Sequence, residues 1–449
     1  MKVLILAAGL GKRMKSKYPK VIHKLSGKEL VNWVIGTAGK LSNNVAIVLG
    51  HRADLVRKVI PSWVEVFIQK EQLGTAHAVI SARDFIDPNE DLLVLYGDVP
   101  LISEKTLKEM IKIHNGSGAD STVLTAFVDN PSGYGRIIRD SSGDFLKIVE
   151  DKDLNDDQRT INEINSGIYV FKGEKLLEVL PKIKNDNAQG EYYLTDAVSM
   201  MDAVSTYTTA DPIEIMGVNT RKHLAILEGY VRKRVIDKLL ENGVTIIDPD
   251  TTYIHSTAKI GRDTIIHPMT FIEGYTVIGE DCEIGPMTRI VDSEIENNSR
   301  VVRSEVYMAF IGEGVSVGPY SRLREGSVLK KGVRVGNFVE VKKSTLEEKV
   351  AAQHLTYIGD AHVEESTNIG AGTITCNYDG FKKSPTFIGK NVFVGSDTEL
   401  VAPVRVEDDA LIGAGSVITR DVPKGSLALG RAKQIVKEGW VYEKRRKKK

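Results

Sequence analysis

The chain has few cysteines and no long apolar run, and each lack excludes a class of protein. Its 449 residues include only two cysteines, Cys282 and Cys376, too few for a disulfide framework or a thiolate metal cluster. No stretch of about 18 consecutive apolar residues occurs, so a transmembrane helix is not expected. The first apolar run, residues 3–8, is short and lacks a small-residue cleavage site after it, which favours a buried strand over a secretory signal. We therefore expect a cytoplasmic protein.

An excess of charge of either sign is also missing. Sixty Lys and Arg residues balance 60 Asp and Glu residues, so no global basic field is available to hold a nucleic-acid backbone. Any phosphate binding must then depend on local basic patches. We expect small-molecule substrates, with no nucleic-acid partner and no integral membrane contact.

The first half of the chain alternates short apolar runs with helical patterns. Strands are predicted at residues 3–8, 45–49, 64–68, 92–96 and 123–128, and helices at 32–40, 53–60, 76–83 and 104–114. This rhythm is typical of an α/β domain with a doubly wound, Rossmann-like parallel sheet. Ligands of such sheets bind beyond the carboxyl ends of the strands. Heptad-like spacing at 221–241 predicts a connecting helix.

Beyond about residue 248 the aliphatic residues follow a six-residue period. The in-phase positions are Ile254, Ile260, Ile266, Ile272, Ile278, Ile284 and Ile290, then Ile311, Val317, Leu323, Leu329, Val335 and Val341, then Ile388, Val394, Leu400, Val406, Ile412 and Ile418. Such a period predicts a coil of parallel strands with three flat sides, in which glycine or asparagine takes the strained corners. Breaks at about 297–306, 343–362 and 375–386 predict inserted loops. The predicted domains are 1–220, a linker at 221–246, and 247–449.

Two features of the first half suggest phosphate chemistry. After the first strand, Gly9 and Gly11 would let backbone N–H groups approach a phosphate, and Arg13 and Lys20 offer positive charge. The spacing matches neither a Walker A loop nor a dinucleotide fingerprint. Asp98, just past the strand at 92–96, is well placed for Mg²⁺. Alternatively, these residues form an ordinary strand-to-helix turn with solvated lysines and a turn-capping aspartate.

A set of motifs in the first half adds a resemblance. In order they are LAAGLGKRM (6–14), PKVIH (19–23), QKEQLGTAHA (69–78), YGDVPL (96–101), GYGRI (133–137), IVE (148–150) and EINSGIY (163–169). They resemble the pyrophosphorylase domain of the bacterial bifunctional N-acetylglucosamine-1-phosphate uridylyltransferase/glucosamine-1-phosphate acetyltransferases. The resemblance implies Arg13 and Lys20 as catalytic residues, Asp98 and Asn219 as ligands of Mg²⁺, and a nucleotide and sugar site made of Leu6, Ala7, Ala8, Gly9, Lys20, Gln69, Gln72, Gly74, Thr75, Tyr96, Gly97, Asp98, Gly135, Glu150, Asn165 and Asn219.

The second half carries the motifs HLTYIGDA (354–361), NIGAGT (368–373) and CNYDG (376–380), which resemble the acetyltransferase half of the same family. The resemblance implies a left-handed β-helix that packs as a homotrimer, with His354 as general base. Imidazole suits that role because its reference pKa of about 6.5 lets it take a proton near neutrality. Implied amino-sugar phosphate contacts are Arg324, Lys342, Tyr357 and Asn368; implied acetyl-CoA contacts are Ala371, Asn377, Tyr378, Ser396, Ala414 and Arg431.

The implied function is two consecutive steps of UDP-N-acetylglucosamine synthesis, which in this family feeds peptidoglycan and lipopolysaccharide. Glucosamine-1-phosphate is N-acetylated from acetyl-CoA, and N-acetylglucosamine-1-phosphate then receives a uridylyl group from UTP with Mg²⁺ and releases pyrophosphate. Gln69 and Gln72 are expected to pair with uracil, and Glu340 is a candidate to orient His354. Lys12 stands where many relatives have threonine and adds charge beside the phosphate loop.

Three other functions remain open at this point. A related enzyme would use another sugar or dTTP, a scaffold subunit of the same fold would have no activity, and a γ-class carbonic anhydrase would need three zinc-binding histidines. The histidines of the second half are His255, His267, His354 and His362 and show no matching pattern. The basic tail at 444–449 is expected to be a disordered, solvated charge run; alternatively it attracts the phosphates of CoA.

Overall fold

The computed structural model describes residues 1–447, which form two compact units with the boundary between Tyr230 and Val231. The α-helices are α1 (Leu30–Ala38), α2 (Ala53–Arg57), α3 (Thr75–Ile80), α4 (Glu104–Ser117), α5 (Asp156–Arg159), α6 (Gly173–Val179), α7 (Leu194–Ser199), α8 (Arg221–Glu241) and α9 (Trp440–Arg446). Short 3-10 helices span Lys12–Met14, Lys20–Ile22, Arg83–Phe85, Asp151–Asp153, Leu180–Lys182 and Pro212–Ile215. No helix of the described residues is long and apolar enough to cross a bilayer.

The first unit is built on a mixed sheet. Its strands, together with a small separate hairpin of β2 and β3, are β1 (Lys2–Ala7), β2 (Lys24–Leu25), β3 (Lys28–Glu29), β4 (Val45–Leu49), β5 (Glu65–Ile68), β6 (Asp91–Tyr96), β7 (Ser121–Phe127), β8 (Arg136–Arg139), β9 (Phe145–Val149), β10 (Glu163–Lys172) and β11 (Val204–Thr208). The main path runs β11-β7-β10-β6-β1-β4-β5, and β8 and β9 extend it beside β10. Buried apolar side chains cover both faces, which is why the central strands read as continuous apolar runs.

The sequence predicted β1, β4 to β7 and α1 to α4 to within a few residues, but not the strands β8 to β11 that follow. The predicted strand at 45–49 coincides with β4, and the predicted connecting helix at 221–241 coincides with α8. The expected all-parallel sheet is instead mixed, because β10 runs antiparallel to both β6 and β7. The β8–β9 hairpin precedes β10 and turns the chain back on itself, so β10 enters the sheet from the opposite direction.

The second unit is a three-sided coil of short parallel strands. The strands are β12 (Thr245–Ile246), β13 (Tyr253–Ile254), β14 (Lys259–Ile260), β15 (Ile265–Ile266), β16 (Phe271–Glu273), β17 (Val277–Ile278), β18 (Glu283–Ile284), β19 (Arg289–Val291), β20 (Glu294–Ile295), β21 (Arg300–Val301), β22 (Glu305–Tyr307), β23 (Phe310–Ile311), β24 (Ser316–Val317), β25 (Arg322–Leu323), β26 (Val328–Leu329), β27 (Arg334–Asn337), β28 (Glu340–Lys342), β29 (Thr345–Leu346), β30 (Ala351–His354), β31 (Tyr357–Gly359), β32 (Ala361–Val363), β33 (Asn368–Ile369), β34 (Ile374–Cys376), β35 (Thr386–Ile388), β36 (Phe393–Val394), β37 (Glu399–Val401), β38 (Val404–Val406), β39 (Leu411–Ile412), β40 (Val417–Ile418) and β41 (Leu427–Ala428). Each strand pairs with the third strand after it over most of the coil, which produces three stacked sheets. The unit is a left-handed β-helix.

The periodic aliphatic residues form the core of the coil. All of them are buried except Ile260, which is half-buried and packs against the same cluster. The small residues between them, such as Thr264 and Thr270, are fully buried and bond to backbone carbonyls inside the coil. The six-residue period therefore arises because each side of the prism contributes one inward-facing aliphatic side chain.

Two of the three predicted loop insertions are wrong. Across 297–306 the register partners Arg289 and Glu305 are 16 residues apart, against 18 for Phe271 and Arg289, so a corner is shortened there. Residues 343–362 likewise contain β29, β30 and β31 without an excursion. The chain leaves the coil only after Cys376, before β35 begins at Thr386. A coil that is one residue short and a coil with an inserted loop both interrupt the six-residue period. The sequence period therefore cannot distinguish the two.

The predicted role of glycine at the corners also needs correction. Many corners with positive φ hold other residues, for example Asp263, Asp281 and Met287. Glycines after the periodic aliphatic residue serve another purpose: a Cβ on Gly261 would lie 2.7 Å from the Gly279 carbonyl carbon, and one on Gly395 would lie 2.5 Å from the Ala414 nitrogen. These glycines let successive coils approach closely.

The basic tail differs in part from the expectation of a disordered charge run. Residues Trp440–Arg446 form α9, and its side chains are exposed. Lys448 and Lys449, the last part of the predicted charge run, lie outside the described residues.

Candidate active sites

A cavity of about 600 Å³ lies at the carboxyl ends of β1 and β6. The two strands are parallel neighbours, so the loops that follow them meet at one edge of the sheet, and the Gly97 N–H donates to the Leu6 carbonyl at 3.0 Å. Most residues predicted for the nucleotide and sugar line this cavity: Leu6, Ala7, Ala8, Gly9, Lys20, Gln69, Gln72, Gly74, Thr75, Tyr96, Asp98, Gly135, Glu150, Asn165 and Asn219.

Three residues from distant parts of the chain converge in this cavity. The Lys20 ammonium forms an ion pair with the Asp98 carboxylate and donates to Asn219 Oδ1 at 3.0 Å. The backbone ties the same loops together, since the Val218 N–H donates to the Asp98 carbonyl at 2.8 Å. One carboxylate oxygen and one amide oxygen therefore point at a single cation. We call Lys20, Asp98 and Asn219 the cation centre.

The cation centre fits the donor set that Mg²⁺ prefers. Mg²⁺ takes oxygen ligands, often only one or two from the protein, and completes its shell with phosphate oxygens and water. The described residues hold no group of three or more His, Cys, Asp or Glu side chains placed to bind a metal ion. Two protein ligands, Asp98 and Asn219, are the number expected for a Mg²⁺ ion that binds together with a phosphate substrate.

The phosphate loop separates into residues that face the cavity and residues that shape the loop. A Cβ added to Gly9 would meet no atom within 4 Å, so this glycine keeps open space beside the cavity. Gly11 has a φ of 62°, and a Cβ there would lie 2.9 Å from the Lys20 Cβ. Lys12 lines the cavity, whereas the predicted residues Arg13 and Gly97 are not among the described residues that line it. Arg13 is exposed.

The glutamine loop after β5 holds itself together. The Gln69 amide NH₂ donates to the Gly74 carbonyl at 3.0 Å and contacts His77 Nδ1 at 3.1 Å. The Gln72 NH₂ donates to the Gln69 carbonyl at 3.1 Å. Gly74, with a φ of 119°, lies so close to Tyr192 that a Cβ would clash with that backbone. The amide donors expected to reach uracil are thus already engaged in shaping the loop.

Tyrosine side chains and the Glu150 carboxylate also line the cavity. Burial raises the pKa of the Glu150 carboxyl, and a hydrogen bond from Thr195 at 3.3 Å partly opposes this shift. Burial also raises the pKa of the Tyr96 phenol, and Glu150 and Asp98 add to the effect. Asn165 donates to the Tyr169 hydroxyl at 2.7 Å. Sequence reasoning missed several polar lining residues that no periodic or spacing signal marks, among them Gln189, Glu191, Tyr193 and Thr195.

The second set of predicted residues lies on successive coils of the β-helix. Arg324 follows β25, Lys342 ends β28 and Tyr357 begins β31, and these three strands are neighbours in one sheet. A cavity of about 320 Å³ includes both Arg324 and Lys342. Lys342 lies 3.5 Å from the Asp360 carboxylate, which also accepts a hydrogen bond from the Asn377 amide.

His354 lies at the end of β30 and is exposed. Its Nδ1 is 3.0 Å from the Asn337 amide oxygen, and the two residues are register partners on adjacent coils. An Nδ1–H donated to that oxygen leaves the Nε2 lone pair available for a proton. Glu340, the predicted orienting residue, instead binds Arg324 at 2.8 Å. Sequence spacing could have found Asn337, because it precedes His354 by one coil.

Four of the predicted acetyl-CoA residues, Ala371, Ser396, Ala414 and Arg431, lie on successive coils near the end of the β-helix. The Asp397 N–H donates to the Ala371 carbonyl, and the Gly415 N–H donates to the Ser396 carbonyl. Arg431 folds back and donates to the Ala414 carbonyl at 2.7 Å. Asn368 starts β33, one coil beyond β30, and Tyr378 lies exposed on the excursion that follows Cys376.

Lys383, on the same excursion, was not predicted as a site residue. The adjacent Lys342 side chain lowers the pKa of Lys383. Two neighbouring amines, one of which lines a cavity with Arg324, favour an anionic ligand. Only the tertiary structure brings Lys383 next to Lys342.

Comparisons with known proteins agree with this two-site arrangement. A family model described as nucleotidyl transferase matches residues 2–211, one described as GMPPB C-terminal domain matches 249–355, and one described as hexapeptide repeat of succinyl-transferase matches 385–420. The chain is 62% identical over 446 residues to the bifunctional protein GlmU of Thermotoga petrophila, covering 99% of this chain and 100% of the relative. The Thermosipho africanus protein of the same name is 59% identical over 445 residues, with 99% and 98% covered. The chain belongs to the bifunctional GlmU family.

A solved structure of UDP-glucose pyrophosphorylase complexed with UDP-glucose also matches, with 19% identity and a TM-score of 0.42 over 52% of this chain and 98% of that one. GlmU proteins are bifunctional uridylyltransferases and acetyltransferases. This chain is accordingly an enzyme that acetylates glucosamine-1-phosphate and uridylates N-acetylglucosamine-1-phosphate in UDP-N-acetylglucosamine synthesis. The alternatives of a scaffold subunit and a carbonic anhydrase are set aside.

Proposed function

We propose that residues 1–220 carry uridylyl transfer, that 247–449 carry acetyl transfer, and that 221–246 connect them. For the first activity the supporting observation is the cation centre, where Lys20, Asp98 and Asn219 meet although 78 and 199 residues separate Lys20 from the other two. UTP and N-acetylglucosamine-1-phosphate share the 600 Å³ cavity, with Gly9 beside the phosphates and Glu150 and Asn165 at the sugar end.

Phosphoryl transfer needs positioning and charge neutralisation more than a covalent protein group. In the proposed reaction a phosphate oxygen of the sugar phosphate attacks the α-phosphorus of UTP in line, and pyrophosphate leaves. The attacking group is already an anion, so no protein base is required. Lys20 brings an ammonium to the phosphates, and the exposed Arg13 adds charge outside the cavity lining. Asp98 and Asn219 would hold Mg²⁺, which would neutralise negative charge on the phosphates.

For acetyl transfer we propose His354 as the general base, oriented by Asn337. The amine of glucosamine-1-phosphate attacks the thioester carbonyl carbon of acetyl-CoA, Nε2 of His354 takes the amine proton, and CoA leaves as its thiolate. Arg324 and Lys342, joined by Tyr357 and Asn368, hold the sugar phosphate. The acetyl-CoA contacts are assigned to Ala371, Ser396, Ala414 and Arg431 on successive coils, and to Asn377 and Tyr378 beside the excursion.

We further propose that the β-helix forms a homotrimer through an apolar column along one corner of the prism. The column consists of exposed residues at corner positions with positive φ, and Arg303 interrupts it between Met287 and Tyr320. Its apolar members are Met269, Met287, Tyr320, Phe338 and Leu355. The Tyr320 and Phe338 rings stack at 5.5 Å. Another corner carries polar residues such as Asp281, Asn298 and Asn391 at comparable φ. Exposed apolar residues in one column favour contact with another chain, and Leu355 directly follows His354.

A cytoplasmic location is proposed because both described cysteines are free thiols, as a reducing compartment would keep them. The substrates are small molecules in this proposal: UTP, acetyl-CoA and the two sugar phosphates. The stringency of the site is tested by replacing UTP with dTTP and by replacing N-acetylglucosamine-1-phosphate with glucose-1-phosphate.

Two variants test the assignment of the two sites. Asp98→Ala is expected to abolish uridylyl transfer and to leave acetyl transfer unchanged, and His354→Ala is expected to do the reverse. Each rate is measured separately with purified full-length protein, by pyrophosphate release and by thiol release. Asp250→Ala, an exposed carboxylate that belongs to neither proposed site, serves as a control for the loss of a charge. If either correctly folded variant loses both activities, the assignment is wrong.

A further inference from the structure

Helix α8 begins directly after the cation centre. The Thr220 hydroxyl accepts the His223 N–H at 3.2 Å and so caps the first turn. Asn219 immediately precedes this cap, so the position of the helix fixes where the Asn219 side chain leaves the backbone.

His223 reaches back to the loop that carries Asn219. Its Nδ1 lies 3.4 Å from the Asn219 backbone nitrogen and 3.1 Å from the Gly217 carbonyl oxygen. With a bare Nδ1 the ring accepts the Asn219 N–H, and with a protonated Nδ1 it donates to Gly217. In either tautomer the half-buried ring is bound to the loop. That loop is in turn bound to Asp98 through the Val218 N–H.

The same helix also holds the segment that carries Lys20. Arg221 Nη1 lies 3.2 Å from His23 Nδ1, just after the 3-10 helix Lys20–Ile22. Two turns further along α8, the Glu228 carboxylate accepts the Ser26 N–H at 2.9 Å. Three side chains of α8 therefore contact both chain segments that meet at the cation centre.

We propose that His223 and Arg221 are positioning residues, which hold Asn219 and the Lys20 segment at the spacing that a divalent cation with bound nucleotide requires. The proposal rests on the assignment of Asp98 and Asn219 as cation ligands. Neither side chain lines the cavity, so each acts through a neighbour and not by contact with the substrate.

The test compares His223→Leu, which keeps much of the volume but removes both ring nitrogens, with His223→Asn, whose side-chain amide places a polar atom near the position of Nδ1. Lys222→Leu, an exposed neighbour on the same turn, is the matched control. The measurements are Mn²⁺ binding by electron paramagnetic resonance in the presence of UTP, amide exchange over residues 215–220, and the rates of both reactions.

We expect His223→Leu to weaken Mn²⁺ binding by about three- to tenfold, the effect of one net hydrogen bond, and to speed exchange of the Asn219 amide. The kcat of uridylyl transfer should fall more than the KM for N-acetylglucosamine-1-phosphate changes, and acetyl transfer should stay constant. His223→Asn should recover most of the loss, and Lys222→Leu should match the wild type. Arg221→Leu should act in the same direction as His223→Leu.

Unchanged Mn²⁺ binding and exchange in His223→Leu would overturn the proposal, as would an equal loss of both activities. Asn219→Ala distinguishes this failure from failure of the ligand assignment. If Asn219→Ala loses Mn²⁺ binding while His223→Leu retains it, only the positioning role is wrong. If Asn219→Ala retains Mn²⁺ binding, the ligand assignment itself is wrong.

Discussion

Single residues in the first cavity show whether a position serves folding or the ligand. Gly9 has open space around its missing Cβ, whereas a Cβ on Gly74 would clash with the Tyr192 backbone and Gly74 also needs a positive φ. Both glycines line one cavity, but Gly9 leaves space beside it whereas Gly74 is required by the backbone. Substitution of each glycine distinguishes the requirement for space from the requirement for backbone conformation.

Gly9→Ala should keep the fold and impair the site. Its φ lies outside the left-handed region, so alanine should raise the free energy of unfolding by about 0.4–1 kcal/mol through the unfolded chain. The added methyl enters the space beside the phosphates and should raise the KM for UTP by about tenfold or more. Gly116→Ala, in α4 with open space around it, is the control and should change stability only. An unaltered KM in Gly9→Ala would contradict the phosphate-loop assignment.

The protonation of Glu150, which lines the cavity and is proposed to bind the sugar, depends on pH. Burial raises the pKa of its carboxyl in the folded protein, above the value of about 4.3 in an unfolded chain. The contribution of Glu150 to the free energy of unfolding is therefore fully present below about pH 4. It is lost as the pH rises through the pKa of the folded protein, because the Glu150 carboxyl ionises more readily in the unfolded chain.

Glu150→Gln should consequently have a higher urea midpoint than the wild type at pH 7.5, and the two midpoints should converge near pH 4. Uridylyl transfer should be slower, since the variant lacks the carboxylate proposed for sugar binding. Urea titrations at both pH values, with the exposed Glu174→Gln as control, check the prediction. A lower midpoint for Glu150→Gln at pH 7.5 would contradict the sign.

At the scale of elements, the β-helix is stabilised coil by coil. Each short strand contacts the coil before it and the coil after it, and the aliphatic residues form one continuous core. In such a repeat structure, stability depends on each coil and on the interface with its neighbours. A single inward-facing side chain therefore affects two interfaces.

Ile290→Ala tests this dependence. Ile290 is fully buried in β19, so truncation should lower the free energy of unfolding of the second unit by about 2–5 kcal/mol. Tyr275→Ala, with 78% of the side chain exposed in the same region, should change it by no more than about 0.5 kcal/mol. Urea unfolding followed by loss of acetyl transfer gives both values. The midpoint for loss of uridylyl transfer should not move, because the first unit has its own core.

At the scale of the whole molecule, the apolar column of the β-helix lies beside one of the two sites. His354 precedes the corner residue Leu355, and Tyr357 follows it. If the column packs against a second copy, the acetyl-transfer site is completed by that copy, whereas the first cavity is built within one chain. The two activities should then depend differently on assembly.

Phe338→Lys should lower the mass measured by light scattering from that of a trimer toward that of a monomer. Lysine tolerates this backbone, since Lys349 occupies a corner with a φ of 60°. Acetyl transfer should fall with the mass, and uridylyl transfer should persist. Ser366→Lys, at a corner with a φ of 59° in the polar column, is the control. A trimeric Phe338→Lys protein would show that the column is not the interface.

The sequence by itself determined the features that arise from local periodicity. The strand at 45–49, the helix at 221–241 and the inward-facing positions of the coil follow from apolar spacing, because periods of strand, helix and coil are properties of the local backbone. The candidate site residues came mainly from resemblance to a family. Most of those for the first site line one cavity, while their roles stay predictions.

Only the tertiary structure decided which distant groups meet. In the structure β10 runs antiparallel to its neighbours, and two breaks in the six-residue period are shortened corners. Asn337, and not the expected Glu340, contacts His354. The tertiary structure also joined Lys20 to Asp98 and Asn219 and brought α8 against both. Such contacts depend on loop paths and on pairing between remote segments, and a local period carries no information about either.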